Sequence, residues 1–515
     1  MPGARGQAGS RRHPQGCESP AEIVLFSGAM SPTLVRFLLL LLAALLITAG
    51  DEVARIQSGR GAAREAVAVI AFTLGVTAAV AVGLPACLPW NRLTTIARKM
   101  VPAAIARQVA SGWHDTPGIP WCKAVGSTVA LVLILAIRAP RQTDYVGTDQ
   151  EAYVLTAVEI ADGGGPMGLV RDLVTGRFAE ANRHPLYLGL LSVHPDYAWG
   201  KWLAASFAVA VHLLGVAQTA RWYGQRAAAG FAVLNGLNSA LINTGVTVAC
   251  ETLVALLVFA GFWAAHGGRG GRDRTVSETA ASPSANDPGS TQPGLSLACW
   301  LGFWTGLGWL TKGTALILAP AAMLWLMFSC REGDHRRQPG RGILLAGLFA
   351  SLFALTAAPL LMRNVVRYGS PAHNVNSWLM FVDHYEDPVA LSERWRLSEL
   401  ARRYAAETGV EGLVLRELRG LVWESFILLR GLGPVGLGEW RVLPGVLVAA
   451  LVLLGLLSTP RRDVRSLALG WVIPSLALFA WYVPIAAGER FPAPLIPILL
   501  VYAGVGWSVA TTRYP

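Results

Sequence analysis

Apolar stretches of about span length recur from one end of the chain to the other, separated by short polar connections. Their centres lie in 37–49, 66–88, 124–138, 198–219, 227–243, 248–265, 296–310, 314–329, 342–361, 443–458, 466–483 and 494–510. A helix needs roughly 20 apolar residues to cross a ~30 Å hydrocarbon core, and fewer when flanking side chains snorkel. The pattern therefore predicts an all-α, polytopic transmembrane helical bundle of about twelve spans. Two long connections, 139–197 and 362–441, interrupt the rhythm. In TDYVGTDQEAYVLTAVEIADGGG of the first, Tyr153, Ala157 and Ile160 recur at helical spacing beside Asp149, Glu151 and Glu159. This is the pattern of an amphipathic helix on the membrane surface with Asp149 near its N-terminus. The second connection carries SERWRLSELARRYAAE and EGLVLRELRGLVWESFILLR, also expected at the interface as the roof of a cavity.

Composition agrees with a bilayer as solvent: 53% of the 515 residues are hydrophobic, 15% are charged, and the mean hydropathy is +0.45. The formal net charge of +11 is gathered in short segments between apolar runs. Arg92 to Lys123, Arg221 to Arg226, the run with Arg269, Arg272 and Arg274, Arg331 to Arg341, and Arg461 to Arg465 fall on one side of successive spans. That is the positive-inside pattern, and it explains the charge better than a nucleic-acid footprint, so no nucleic-acid partner is expected. Both termini are then cytoplasmic, and 139–197, 244–250, 311–313, 362–441 and 486–493 are outside. The loop 51–65 is the irregular one, its Arg55, Arg60 and Arg64 offset by Asp51, Glu52 and Glu65.

The chain divides into a cytoplasmic tail, 1–36, an N-terminal transmembrane hairpin with a basic loop, 37–123, and a main membrane domain, 124–515. Met30 opens a basic start, an apolar run and small residues that resemble a signal sequence or anchor, leaving open whether the chain starts at Met1 or Met30 and whether 30–50 is cleaved. The stretch 267–295, rich in Gly, Ser, Pro, Asp and Thr, reads as a disordered cytoplasmic linker. Six scattered cysteines without CxxC or His/Cys spacing imply neither a disulfide framework nor a zinc site.

A set of ordered motifs lies on the outer side. Asp149, Tyr153 and Ala157 form D-x-x-x-Y-x-x-x-A; Arg183-His184-Pro185-Leu186-Tyr187 precedes a span; Cys250-Glu251-Thr252 opens another. Gly306 to Gly313 reads G-L-G-W-L-T-K-G, Arg363-Asn364 is followed by Tyr368-Gly369-Ser370-Pro371, and Glu489-Arg490-Phe491 precedes Pro494 and Pro497. In order and spacing over about 124–511 they resemble the polyprenyl-phosphate-dependent GT-C glycosyltransferases, the superfamily that includes the protein O-mannosyltransferases and the aminoarabinose transferase acting on lipid A. Gln150 stands where many relatives have Glu, Pro185 is single where the family has two, and the hairpin before 124 is extra.

The resemblance implies a multi-pass cell-membrane enzyme that moves a sugar from a polyprenyl-phosphate donor to an acceptor hydroxyl, on a lipid, polysaccharide or protein, at the extracytoplasmic face with inversion. It assigns Asp149 as general base. Lys312, His184, Arg363 and Arg490 are the implied cations for the donor phosphate. Tyr153, Tyr187 and Asn364 would position substrate. Glu251, an acid at a span end that should face a cavity rather than lipid, would orient a substrate or help Asp149 hold a divalent cation; metal use stays open. Taken singly, Lys312 and Arg363 are equally well explained as cations snorkelling to headgroups. His194, His212, His373 and His384 form no ligand cluster by spacing; Trp199, Trp202, Trp481 and Tyr482 fit an aromatic belt; Asp162, Asp172 and Glu180 read as solvated acids.

Polytopic architecture also suits a transporter or lipid flippase, or an inactive glycolipid-binding member of the same fold, but no repeat between halves is visible and the charges gather at one face. The basic-loop alternation makes the topology testable. Cysteines introduced at 150–180 or 390–410 should react with an impermeant maleimide in intact cells, and those at 270–290 or 333–340 only after permeabilisation. Labelling of 150–180 solely from the cytoplasm would place the acidic loop on the wrong face.

Overall fold

The computed structural model describes residues 119–144, 148–267, 294–329, 339–459 and 461–511. The spans expected in 37–49 and 66–88, the Met30 segment and residues 268–293 of the linker lie outside the described residues. Among the described residues all regular structure is helical. Each of the ten apolar runs expected in them overlaps helix, though not always a single unbroken one. In chain order, α1 (Ile119–Arg138) leads to three short helices, α2 (Asp149–Asp162), α3 (Gly165–Val174) and α4 (Pro185–Leu191). Then come α5 (Tyr197–Tyr223), α6 (Gln225–Gly236), α7 (Ser239–Thr244), α8 (Glu251–Gly267), α9 (Leu295–Thr311), α10 (Leu318–Ser329) and α11 (Pro339–Tyr368). After the second long connection, with α12 (Pro388–Arg394) and α13 (Leu397–Leu432), the chain closes with α14 (Val442–Ser458), α15 (Arg462–Tyr482) and α16 (Ile496–Thr511). Among the described residues four helical stretches are by themselves long and apolar enough to cross a membrane: Tyr197–Tyr223, Gly340–Tyr368, Gly438–Ser458 and Asp463–Tyr482. The shorter apolar helices Glu251–Gly267, Gly313–Phe328 and Ile496–Thr511 pack among them.

Two expectations change. The apolar run 227–243 is not one helix: it breaks after Gly236, where the Asn238 side chain caps α7 by accepting from the Leu241 N–H at 2.9 Å and donates to the Gly431 carbonyl at 2.8 Å. Asn238 thus satisfies backbone groups that a break inside an apolar bundle would leave orphaned. The stretch 411–430, expected at the interface, instead packs along α14 and α15. It belongs to the 36-residue α13, kinked at Gly409 (φ 66°), and buries Arg416, Gly420, Glu424 and Phe426. The side turned to the bundle carries Arg416, Gly420 and Glu424, while Val414, Leu415 and Leu418 are exposed.

Helix contacts depend on glycines that let backbones approach, the usual device where lipid offers no hydrophobic drive. A Cβ on Gly455 would collide with the Tyr502 carbonyl, one on Gly506 with the Leu451 carbonyl, and one on Gly302 with the Phe349 carbonyl. The first two close α14 on α16, whose N-terminal end carries the loop with Arg490. Gly455→Val should therefore destabilise by about 1–3 kcal/mol, the usual overpacking cost, seen as a lower thermal midpoint of detergent-solubilised protein. An unchanged midpoint would show that α14 and α16 tolerate separation.

Candidate active site

Five of the six expected catalytic and phosphate-binding residues arrive at one cavity from five chain positions. Asp149 is the first residue of α2, whose N-cap Thr148 accepts from the Gln150 N–H at 3.3 Å, and a carboxylate in a first turn suits the helix dipole. His184 caps α4 with Pro185 in the first helical position. Glu251 opens α8, and Lys312 ends α9 in an extended conformation before the 3₁₀ turn Gly313–Ile317. Arg490 lies in the connection from α15 to α16. All five, with Tyr153, line a cavity of about 540 Å³. Gly313 is required there, because a Cβ would strike the Asn374 amide and come within 3.0 Å of His184 Nε2.

The charges are arranged in pairs. Arg490 Nη1 donates to Asp149 Oδ2 at 2.6 Å, and Arg183 Nη2 reaches Asp149 Oδ1 at 3.4 Å. Lys312 Nζ donates to Glu251 Oε1 at 2.9 Å. Phe491 lies beneath both outer cations, its ring centre 5.3 Å from Lys312 Nζ and 5.2 Å from Arg490 Cζ. Burial pushes the Asp149 carboxyl up, but the hydrogen bond and charge of Arg490, with the charge of Arg183, outweigh it and hold the group below the usual carboxylate range. Glu251 Oε2, His184 Nδ1 and Arg183 Nε carry no protein partner. The Tyr153 hydroxyl, kept protonated by burial, donates to Cys250 Sγ at 3.2 Å.

Three expected site residues lie elsewhere. Arg363 does not line the cavity; it is 3% exposed and its Nη1 donates to the Glu180 carbonyl at 2.8 Å. Asn364 spends its amide on the Pro371 and His373 carbonyls at 2.9 and 3.1 Å, folding the turn after α11. Tyr187 is fully buried behind Tyr153, edge to face at 5.3 Å between ring centres. Glu180 is not a merely solvated acid: its carboxylate accepts from the Asn182 and Arg183 backbone N–H groups and from Arg183 Nη1 at 2.6, 3.1 and 3.2 Å. Asp172 pairs with Arg171 at 3.1 Å. Trp481 faces inward, donating to the Met380 carbonyl at 2.7 Å beneath Arg416, so it ties the outer connection down rather than sitting in an aromatic belt.

Sequence reasoning quoted Arg183 only as part of a motif and missed its role beside Asp149; its one signal was its place next to His184. Glu489 was likewise only a motif letter. It is 9% exposed at its side chain, accepts from Arg430 Nε at 2.7 Å and from Arg441 Nη2, and so anchors the backbone that carries Arg490.

A divalent ion held between Asp149 and Glu251 does not fit this arrangement. Both carboxylates face basic side chains that would repel a cation, and no group of three or more His, Cys, Asp or Glu among the described residues is placed to hold a metal. Gln150 is structural: its Oε1 accepts from the Val248 N–H at 3.0 Å. The lining also includes apolar Ile317, Pro320, Leu478 and Phe479, the last packed on Phe491 at 5.8 Å between ring centres. A second groove between the two long connections shares Ala372, Asn374 and Ser377 with the cavity.

No family model matches the chain, and no curated protein does. Solved structures are similar at low identity. The Archaeoglobus fulgidus oligosaccharyltransferase AglB, in complex with an inhibitory peptide and a dolichol-phosphate, is 15% identical, with a TM-score of 0.42 over 76% of this chain and 50% of that one. ArnT from Cupriavidus metallidurans in the apo state is 15% identical, with a TM-score of 0.45 over 74% of this chain and 59% of that one. The chain thus spans between half and three-fifths of those two structures' length.

His184 offers a pH test of the site. Burial lowers its pKa to about 4, a hydrogen bond with the Trp309 backbone opposing and the Arg363 charge assisting, so it is neutral rather than cationic at pH 7. Because the unfolded chain protonates near pH 6.5 and the folded one only near 4, folding loses stability as pH falls through that window. His184→Gln should lessen the drop in thermal midpoint between pH 7 and 4.5; an identical drop would show that His184 is protonated without cost.

Proposed function

We propose that the chain is a membrane glycosyltransferase that transfers a sugar from a polyprenyl-phosphate donor to an acceptor hydroxyl at the extracytoplasmic surface, with inversion at the anomeric carbon. The observation that carries this reading is one cavity whose lining combines apolar side chains with carboxylates paired to cations from distant parts of the chain. The apolar side chains suit the first isoprene units of a carrier whose tail stays in lipid. Lys312 and Arg490, side by side over Phe491, suit its phosphate. His184 is neutral and serves as a hydrogen-bonding wall instead of a charge. Arg363 acts at one remove, holding the Glu180 turn that presents Arg183.

In the reaction the acceptor oxygen attacks the anomeric carbon opposite the phosphate. The bond from that carbon to the phosphate oxygen breaks, polyprenyl phosphate leaves, and the acceptor's proton passes to a carboxylate of Asp149. Lys312 and Arg490 meet the charge that grows on the leaving phosphate. The Glu251–Lys312 pair holds the ammonium in place, leaving Glu251 Oε2 to accept from a sugar hydroxyl. The acceptor enters from the second groove, beside Asn374 and Ser377.

Asp149→Asn keeps the side chain's size but not its ability to take a proton at neutral pH. Transfer from an undecaprenyl-phosphate sugar should fall about 10²–10⁴-fold with expression near normal, whereas Lys312→Ala should chiefly raise the KM for that donor. Transfer by purified Asp149→Asn protein at the parent rate would remove Asp149 from the mechanism.

A further inference from the structure

Asp149 is held in a way that a general base is not expected to be. Both its oxygens face guanidinium groups, Arg490 Nη1 at 2.6 Å and Arg183 Nη2 at 3.4 Å. Two N–H donors on the two oxygens of one anion is how a protein holds a phosphate. The two arginines are mounted differently. Arg183 is 16% exposed at its side chain and anchored by Glu180 through Nη1 at 3.2 Å, and the Glu180 carbonyl is in turn held by Arg363 at 2.8 Å. Arg490 is 47% exposed at its side chain; its backbone is fixed by Glu489, but the guanidinium holds only Asp149 and lies over the Phe491 ring it shares with Lys312. Its guanidinium already lines the cavity, so it can change partner there without the chain moving.

We propose that the Asp149 carboxylate occupies the place of the donor phosphate in the resting enzyme, and that an incoming polyprenyl phosphate exchanges with it for Arg490, leaving Asp149 free to accept the acceptor's proton. Arg183, anchored by Glu180, keeps Asp149 in position through the exchange and is a positioning residue. The consequence is a coupling: Asp149 is a poor base while Arg490 neutralises it and becomes a better one only once the phosphate has drawn that arginine away, so the base is switched on by the donor. This inference rests on the proposed function, since it needs a phosphate-bearing donor.

The test is equilibrium binding of undecaprenyl phosphate, without sugar, to the full-length protein in nanodiscs. If Asp149 competes for Arg490, removing the carboxylate strengthens binding: Asp149→Asn and Asp149→Ala should bind about 1.5-fold to fivefold more tightly than the parent, the range for a released exposed ion pair. Any nearby negative charge weakens anion binding to some extent, so two controls isolate the exchange. Asp162→Asn, an exposed acid at the far end of the same helix, should leave the affinity unchanged, and Asp149→Ala should lose its effect in an Arg490→Ala background. Unchanged or weaker binding by both Asp149 variants, or an Asp149→Ala gain that persists without Arg490, would overturn the exchange while leaving the glycosyltransferase reading intact. Failure of the parent protein to bind any polyprenyl phosphate would overturn that reading, and this inference with it.

Discussion

Asp149 and Arg490 meet at 2.6 Å across 341 positions of sequence. A pair that remote forms only if the outer ends of α2 and of the connection into α16 are held together by everything between them. The helices supply that constraint through close backbone contact. Gly455 and Gly506 let α14 and α16 close on each other, Gly302 does the same for α9 on α11, and Gly313 makes room at the cavity wall for Asn374 and His184. In lipid there is little hydrophobic gain in bringing apolar helices together, so such contacts and buried polar ties decide the arrangement.

The polar ties concentrate at the outer end. Arg416 bonds the carbonyls of Val382 and Trp481 together with Asp383, Arg363 bonds the Glu180 carbonyl, and Glu489 gathers Arg430 and Arg441. Each is a largely buried charge with hydrogen-bonded partners, costly to break once formed and therefore specific about geometry. They fasten two irregular connections over a bundle whose own contacts are apolar. The cavity lies where fastened connections meet helix ends, which explains why its cations come from α9, the segment before α4 and the segment before α16.

Charge pairing then shapes the chemistry. Without ligand, each carboxylate in the cavity is matched by a basic side chain, Asp149 by two arginines and Glu251 by Lys312. A phosphate entering such a site rearranges existing pairs and does not meet isolated charges.

Much of this was legible in the sequence, and the boundary has a physical cause. Apolar run length and helical spacing are local properties, so helix positions, the α2 helix with Asp149 at its start, and the gathering of acids and bases on one face could be read directly. The break at Asn238 could not, because it depends on a bond to Gly431 that only the folded bundle creates. Nor could the packing of 411–430 along α14 and α15, which turns Arg416 and Glu424 inward and leaves Val414, Leu415 and Leu418 exposed, because composition does not say which face meets the neighbouring helices. Most of all, sequence alone could not sort the basic residues. Arg183, Lys312, Arg363 and Arg490 carry the same charge on the same side, yet three line the cavity and Arg363 is drawn away by a backbone carbonyl. Charge and side are local properties of a chain; which cation faces which carboxylate is set by how helix ends hundreds of residues apart are packed.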